Sequence, residues 1–144
     1  MKLETIELPC FDYFVNEAWK KLRSPRNRLR IDSRIIDNEE ASLPQEIPNK
    51  CGIYAIWVND ELKYIGTVRK KQGLRGRLTQ HLIKCPEKTQ SKLELVKESM
   101  DNEHKIDVSF IIVKPEPFRL ALEDELIRKA RTKGLVAWNY KSIR

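Results

Sequence analysis

The sequence has no apolar stretch long enough to cross a bilayer or to act as a signal peptide. Its three cysteines, Cys10, Cys51 and Cys85, form no CxxC pair and have no histidine-rich segment near them. This spacing argues against a zinc site and against a disulfide framework. Internal repeats and low-complexity tracts are absent as well. We therefore expect a cytoplasmic protein with reduced thiols and no membrane partner.

Positive charge, by contrast, is in excess. The 144 residues include 28 lysines and arginines against 21 acidic residues, which gives a net charge of +7 and a pI of about 9.4. Basic chains associate with polyanions through counterion release, so the composition favours a nucleic-acid partner without establishing one. The length suits a single domain around one core.

The N-terminal third predicts a helix followed by a basic connector. Apolar residues recur at helical spacing over residues 11–23, and Ser24-Pro25 should end this helix. The crowded basic residues that follow either line a phosphate-binding surface or form a solvated face, and both interpretations stay open. We interpret residues 1–50 as part of the same unit as the main domain, residues 51–144. The predicted nucleic-acid-binding residues are Lys20, Arg23, Arg26, Arg28 and Arg30, together with Arg75 and Lys84.

The strongest strand signal is a hairpin. Two segments rich in aromatic and β-branched residues, 52–58 and 62–66, flank Asn59-Asp60. A two-residue turn would point Tyr54 and Tyr64 to opposite faces of the sheet, whereas a three-residue loop would place both on one face. We predict the shared face.

Three helices and one strand complete the predicted elements. The order of elements indicates an α+β fold, in which a small three-stranded antiparallel sheet is flanked by helices and preceded by an N-terminal helical extension. Such a fold implies no chemistry by itself. The predicted ranges are helices over about 73–84, 89–100 and 118–132, and a strand over 106–112.

Glu123 stands out among the acidic residues. On a helical wheel it falls within the apolar arc of the last helix, where a carboxylate is costly unless it binds a cation or a hydrogen-bond donor. From the residues alone, a buried glutamate paired with arginine is the preferred explanation of this position. The arc comprises Phe118, Leu120, Leu122, Leu126, Ile127 and Ala130.

Four ordered pieces of the sequence resemble the GIY-YIG nucleases, over about residues 51–140. Gly52-Ile53-Tyr54 and Tyr64-Ile65-Gly66 match the two triplets that name the family. The other two pieces are similar to its first helix, whose arginine is here Arg77, and to its metal-binding helix with a later asparagine. The chain departs from many members at Thr67, where they have lysine or serine, and it lacks their proline before Asn139.

The resemblance implies the family's fold and a small stand-alone endonuclease of phage or restriction type. It also implies Mg²⁺ or Mn²⁺ as cofactor, because oxygen ligands suit these hard cations. Guanidinium can contact two phosphate oxygens at once, which suits a phosphate clamp. The implied site comprises Tyr54 to activate water, Tyr64 to orient water or phosphate, Arg77 as phosphate clamp, His81 for proton transfer or phosphate binding, Glu123 as metal ligand, and Asn139 to fix the tyrosine region or a phosphate.

Each of these residues also has a simpler interpretation. Tyrosines on strands commonly serve packing, His81 would be an ordinary hydrogen-bonded surface residue, and Asn139 a turn residue. The leading hypothesis is a metal-dependent endonuclease that hydrolyses phosphodiester bonds in DNA. The alternatives are a catalytically silent nucleic-acid-binding module and an RNA-cleaving nuclease, since phosphate contacts do not distinguish the two polymers. A homo-oligomer is compatible with the sequence.

Overall fold

The computed structural model describes residues 3–7, 9–68, 71–85 and 91–140. None of the helices in these ranges has the length and hydrophobicity needed to span a membrane. Within the same ranges the elements are α1 Phe11–Arg23, a 3-10 helix Pro25–Asn27, β1 Leu29–Ile31, β2 Gly52–Val58, β3 Glu61–Thr67, α2 Gly73–Leu82, α3 Leu93–Asp101, β4 Ile106–Ile112, α4 Glu116–Thr132 and a second 3-10 helix Ala137–Tyr140.

The strands form one antiparallel sheet in the order β1-β4-β2-β3. Strand β2 is buried along its whole length, between β4 and the edge strand β3. The sheet has four strands in the described residues, so the predicted count of three was wrong by one. The additional strand, β1, pairs with β4 and is only three residues long, too short to show an alternating pattern in the basic segment.

The two faces of the sheet carry separate apolar clusters, and helices cover both faces. Helices α2 and α3 pack on the face that bears Tyr54 and Ile56, while α1 and α4 pack on the face that bears Ile53 and Trp57. This alternation follows from the two-residue period of a strand. The predicted α+β arrangement, an antiparallel sheet flanked by helices, is confirmed.

The hairpin between β2 and β3 combines a two-residue turn with a β-bulge. Asn59 and Asp60 both have positive φ, 49° and 67°, as a tight turn of the primed type requires. Beyond the turn, the pairing shifts because Lys63 is an extra residue, so Ile56 lies opposite Tyr64. The shared face of Tyr54 and Tyr64 is therefore confirmed. Our inference that a two-residue turn would separate the tyrosines was wrong, because it left out the bulge.

Candidate active site

Tyr54, Tyr64 and His81 form a compact aromatic cluster between the sheet and α2. The Tyr54 and Tyr64 ring centroids lie 6.0 Å apart, and the His81 ring lies 5.4 Å from each of them. Tyr54 and His81 are fully buried, whereas Tyr64 is half-buried. Of the two tyrosines, Tyr64 is thus the one that a substrate could reach from solvent.

Hydrogen bonds hold His81 in one orientation. Its Nδ1 atom accepts the backbone N–H of Lys92 at 3.0 Å, and its Nε2 atom lies 2.6 Å from the Tyr54 hydroxyl. Burial lowers the pKa of His81, and the charges of Arg77 and Lys92 lower it further. The ring is therefore neutral, with its proton on Nε2, and donates to the Tyr54 oxygen. The interpretation of His81 as a surface residue was wrong, because the helix turns it towards the sheet.

Arg77 is the cation that couples the two tyrosines. Burial raises the pKa of Tyr54, and the neighbouring Tyr64 raises it further, while the charge and hydrogen bond of Arg77 lower it. Burial also raises the pKa of Tyr64, against the charge of Arg77 and a hydrogen bond from Tyr54. The guanidinium donates in addition to Gln80 Oε1 at 2.7 Å, which fixes its position on α2. Arg77 thus supplies positive charge to both phenols.

Glu123 lies where α4 passes the end of β3. Its carboxyl is half-buried, and burial, followed by the charge of Asp124, raises its pKa to about 7. Arg119 and the backbone N–H of Thr67 act in the opposite direction. The charge of Glu123 also raises the pKa of Tyr64. A carboxyl of this kind favours a proton or a cation at neutral pH.

Arg119 is a residue of this region that the sequence analysis missed. It is 3% exposed, and its guanidinium donates to Thr67 Oγ1 and to the carbonyl oxygen of Val68, both at 2.9 Å. The Thr67 hydroxyl in turn donates to the carbonyl oxygen of Gly52 at 3.1 Å. Arg119 therefore ties α4, with Glu123 on it, to the ends of β2 and β3.

Asn139 holds the outer edge of β3. Its side-chain oxygen accepts the Ile65 N–H at 2.9 Å, and its side-chain nitrogen donates to the Ile65 carbonyl at 2.8 Å. The Val136 N–H donates to the carbonyl oxygen of Leu62 at 3.1 Å. The amide acts on the backbone next to Tyr64, in keeping with the suggestion that it fixes the tyrosine region. It contributes two hydrogen bonds that a simple turn residue would not make.

The basic residues predicted to bind nucleic acid do not lie together. The five from the N-terminal segment belong to α1, to β1 or to the turn between them. Helix α1 covers the face of the sheet opposite the tyrosines, and β1 lies three strand spacings, about 14 Å, from β3. Arg28 stacks 3.9 Å from the Trp57 ring centroid, and Arg30 forms an ion pair with Asp107. Lys84 is exposed near the end of the helix that bears Arg77 and His81.

Arg75 has a different role from the one predicted. Its guanidinium donates to the carbonyl oxygens of Leu43, Pro44 and Ile47 at 2.7, 2.8 and 3.2 Å. These bonds secure the connector against α2, where its buried residues Leu43 and Ile47 join the core. We therefore assign Arg75 to the fold, because its donors are directed at the protein's own backbone.

Gly66 leaves the space that the Tyr54 ring occupies. A Cβ atom on Gly66 would lie 2.5 Å from the Tyr54 oxygen and 2.8 Å from the Tyr64 ring. We expect Gly66→Ala to destabilise the fold by about 1–3 kcal/mol through overpacking. Because it must move at least one tyrosine, it should also lower any activity of the site by on the order of 10²-fold. Thermal unfolding and initial rates measure the two effects.

Gly76→Ala is the matched control for this substitution. A Cβ atom on Gly76 meets only the flexible side chain of Gln72, at 3.0 Å. Alanine is also preferred over glycine inside a helix by about 0.5–1 kcal/mol. We expect this variant to keep its stability and activity; equal losses in the two variants would refute the steric role of Gly66.

Comparison with known proteins bears on the fold. A scan against protein-family models and a search of curated proteins each gave no match. The chain does have the fold expected of GIY-YIG nucleases. It is similar to the solved structure of a mutant of bacteriophage T4 EndoII, with a TM-score of 0.51 and 21% sequence identity over 83% of this chain and 92% of the other. At this identity the likeness establishes the fold, and the predicted fold resemblance is confirmed.

Proposed function

We propose that the protein is a Mg²⁺-dependent endonuclease that cleaves phosphodiester bonds in DNA. The observation that carries the proposal is that Arg77 and Glu123, which come from two different helices, both act electrostatically on Tyr64 in the sheet. Together they offer a cation for a phosphate, a hydroxyl for a water molecule and a carboxylate for a metal ion, the groups that phosphodiester hydrolysis requires. The similarity to bacteriophage T4 EndoII supports this function.

The residues present fit a Mg²⁺ or Mn²⁺ ion held by Glu123. Within the described ranges no group of three His, Cys, Asp or Glu side chains is placed to enclose a metal ion. Mg²⁺ does not require such a cage, since it commonly binds through one or two carboxylates, its own waters and substrate phosphate. The desolvated carboxyl of Glu123, with its pKa near 7, is the group that a cation would stabilise. When bound, the ion supplies positive charge for the phosphate and for the departing oxygen.

Exposure suggests that the two tyrosines differ in role. Tyr54 is fully buried, so its hydroxyl would act on an attacking water only indirectly, through its hydrogen bond with Tyr64. In our proposal Tyr64 reacts as the phenolate, which the charge of Arg77 and the Tyr54 hydroxyl stabilise. The phenolate orients that water and accepts its proton, which leaves hydroxide for the attack and Tyr64 as the neutral phenol. Tyr54 is itself fixed by the proton that His81 donates. Arg77 also binds the scissile phosphate, so it brings the phosphate and the phenol into one geometry.

The direct test is to incubate the purified protein with supercoiled plasmid, linear duplex and RNA, each with Mg²⁺ and with chelator. We expect nicked or linear DNA with Mg²⁺, and no product with chelator. Cleavage in chelator would overturn the metal dependence. Cleavage of RNA alone would favour the RNA nuclease, while salt-dependent binding without any cleavage would favour the silent module.

A further inference from the structure

Lys92 is a buried lysine directly beside the candidate active site. The residue is 8% exposed, and its ammonium nitrogen lies 5.3 Å from the centre of the Tyr64 ring. It directly precedes α3 and is not among the functional residues predicted from the sequence. A buried ammonium group loses much of its hydration, which is costly unless nearby groups or a ligand compensate for it.

The backbone around Lys92 is fixed to the same helix that carries Arg77 and His81. The Lys92 N–H donates to His81 Nδ1 at 3.0 Å, and the Ser91 hydroxyl donates to the carbonyl oxygen of Gln80 at 2.7 Å. The same hydroxyl accepts the N–H of Leu93 at 2.9 Å, at the start of α3. The start of α3 therefore holds Lys92 against the tyrosine cluster by several hydrogen bonds.

Two cations thus converge on Tyr64. Burial lowers the pKa of Lys92, and the charge of Arg77 lowers it further, so the two positive groups repel each other in the free protein. A phosphate anion between them would relieve this repulsion and compensate for the desolvation of both. Paired cations on one phosphodiester are also an effective means of stabilising the charge that develops in its hydrolysis.

We propose that Lys92 is a further catalytic residue, which contacts a non-bridging oxygen of the substrate phosphodiester beside Arg77. The catalytic part of this inference rests on the proposed endonuclease function, because that function defines the reaction that Lys92 assists. The phosphate contact itself can be tested without cleavage. Lysine suits this position because its ammonium is a compact point charge that can follow the phosphate as the geometry changes.

The test compares Lys92→Met and Lys92→Arg with Lys97→Met as matched control. Lys97 lies on α3, whereas Lys92 directly precedes it, and Lys97 pairs with Asp37 and Glu94. Binding of a short duplex is measured in chelator over a range of salt concentrations, and cleavage with Mg²⁺ is measured separately. We expect Lys92→Met to reduce the slope of log K against log salt by about 0.9, the value for one phosphate contact. Its cleavage rate should fall by about 10²–10³-fold.

Lys92→Arg, which keeps the charge, should retain most of the salt slope. Equal slopes and equal cleavage rates for Lys92→Met and Lys97→Met would overturn the proposal. If Lys92→Met does not fold, as judged by circular dichroism, Lys92→Gln takes its place in both measurements. A wild type that never cleaves would refute the endonuclease, yet the salt slope would still decide whether Lys92 binds phosphate.

Discussion

Replacing Glu123 by glutamine is expected to abolish DNA cleavage and, at the same time, to make the protein more stable above neutral pH. Glutamine keeps the shape of the side chain but cannot carry the charge that attracts a divalent cation. We expect the cleavage rate to fall by at least about 10³-fold, as for loss of a group that acts mainly in the transition state. Initial rates on supercoiled plasmid with saturating Mg²⁺ measure the loss.

The stability effect follows from the sign of the pKa shift. Folding raises the pKa of Glu123 from 4.5 to about 7, so the folded protein binds this proton more tightly than the unfolded chain does. The stability associated with the proton is fully present below pH 4.5 and is lost as the pH rises through about 7. The ceiling is about 3 kcal/mol, which solvent screening of the half-exposed carboxyl reduces to about 1–2 kcal/mol.

The measurement is the melting temperature in chelator from pH 4.5 to pH 8. The difference between Glu123→Gln and wild type should be near zero at the acidic end and reach about 3–6 °C at the basic end. Mg²⁺ at ten times its Kd should add about 1.4 kcal/mol to wild type and nothing to Glu123→Gln. Glu125→Gln, two residues away in an exposed ion pair with Arg128, is the control. Because it keeps Glu123, it should melt like wild type across the pH range and retain the stabilisation by Mg²⁺. A melting-temperature difference that does not change with pH would contradict the raised pKa of the Glu123 carboxyl.

Replacing Arg77 by methionine should have an effect of similar size, through the tyrosines as well as through the phosphate. The charge of Arg77 lowers the pKa of both Tyr54 and Tyr64, so its removal makes each phenol harder to ionise. The variant also loses the clamp on the scissile phosphate. We expect cleavage to fall by about 10³–10⁵-fold, the range for arginines that stabilise charge in phosphoryl transfer.

Two further variants separate the contributions of Arg77. Arg77→Lys keeps the charge near the tyrosines but loses the two-pronged contact with phosphate, so its activity should lie between wild type and Arg77→Met. Arg128→Met removes the same charge from an exposed position on α4 and should leave the rate unchanged. The pH dependence of the rate should shift to higher pH in Arg77→Met. An unchanged profile would show that Arg77 acts on the phosphate alone.

The sequence predicted most of the helices and strands because their patterns are local. The helix over residues 11–23 was correct at both ends, and the last helix begins two residues earlier than predicted. The register of the hairpin was harder, since it depends on a bulge at Lys63 that no residue pattern marks. The strand β1 forms only because β4 offers it a partner, which is a tertiary effect on a three-residue segment.

The site shows the same division between local and tertiary information. The motifs located the tyrosines and Arg77, but burial of His81 and Lys92 depends on how two helices meet. Arg119 left a signal that was overlooked. It shares the spacing of Leu122 and Leu126, so it belongs to the buried face of α4, whereas Leu120, placed in the apolar arc, is 46% exposed. An arginine that shares the helical spacing of buried apolar residues is therefore a candidate for a buried side chain that hydrogen-bonds to the backbone.

The hydrogen bonds that Asn139 makes with Ile65 have a consequence for association between chains. Strand β3 lies at the edge of the sheet, and an open edge can recruit a strand from another molecule and seed aggregation. The amide of Asn139 occupies both backbone groups of Ile65, and Val136 occupies the carbonyl of Leu62. This side of the sheet is therefore blocked against strand addition next to Tyr64, so a neighbouring chain cannot extend the sheet at this point.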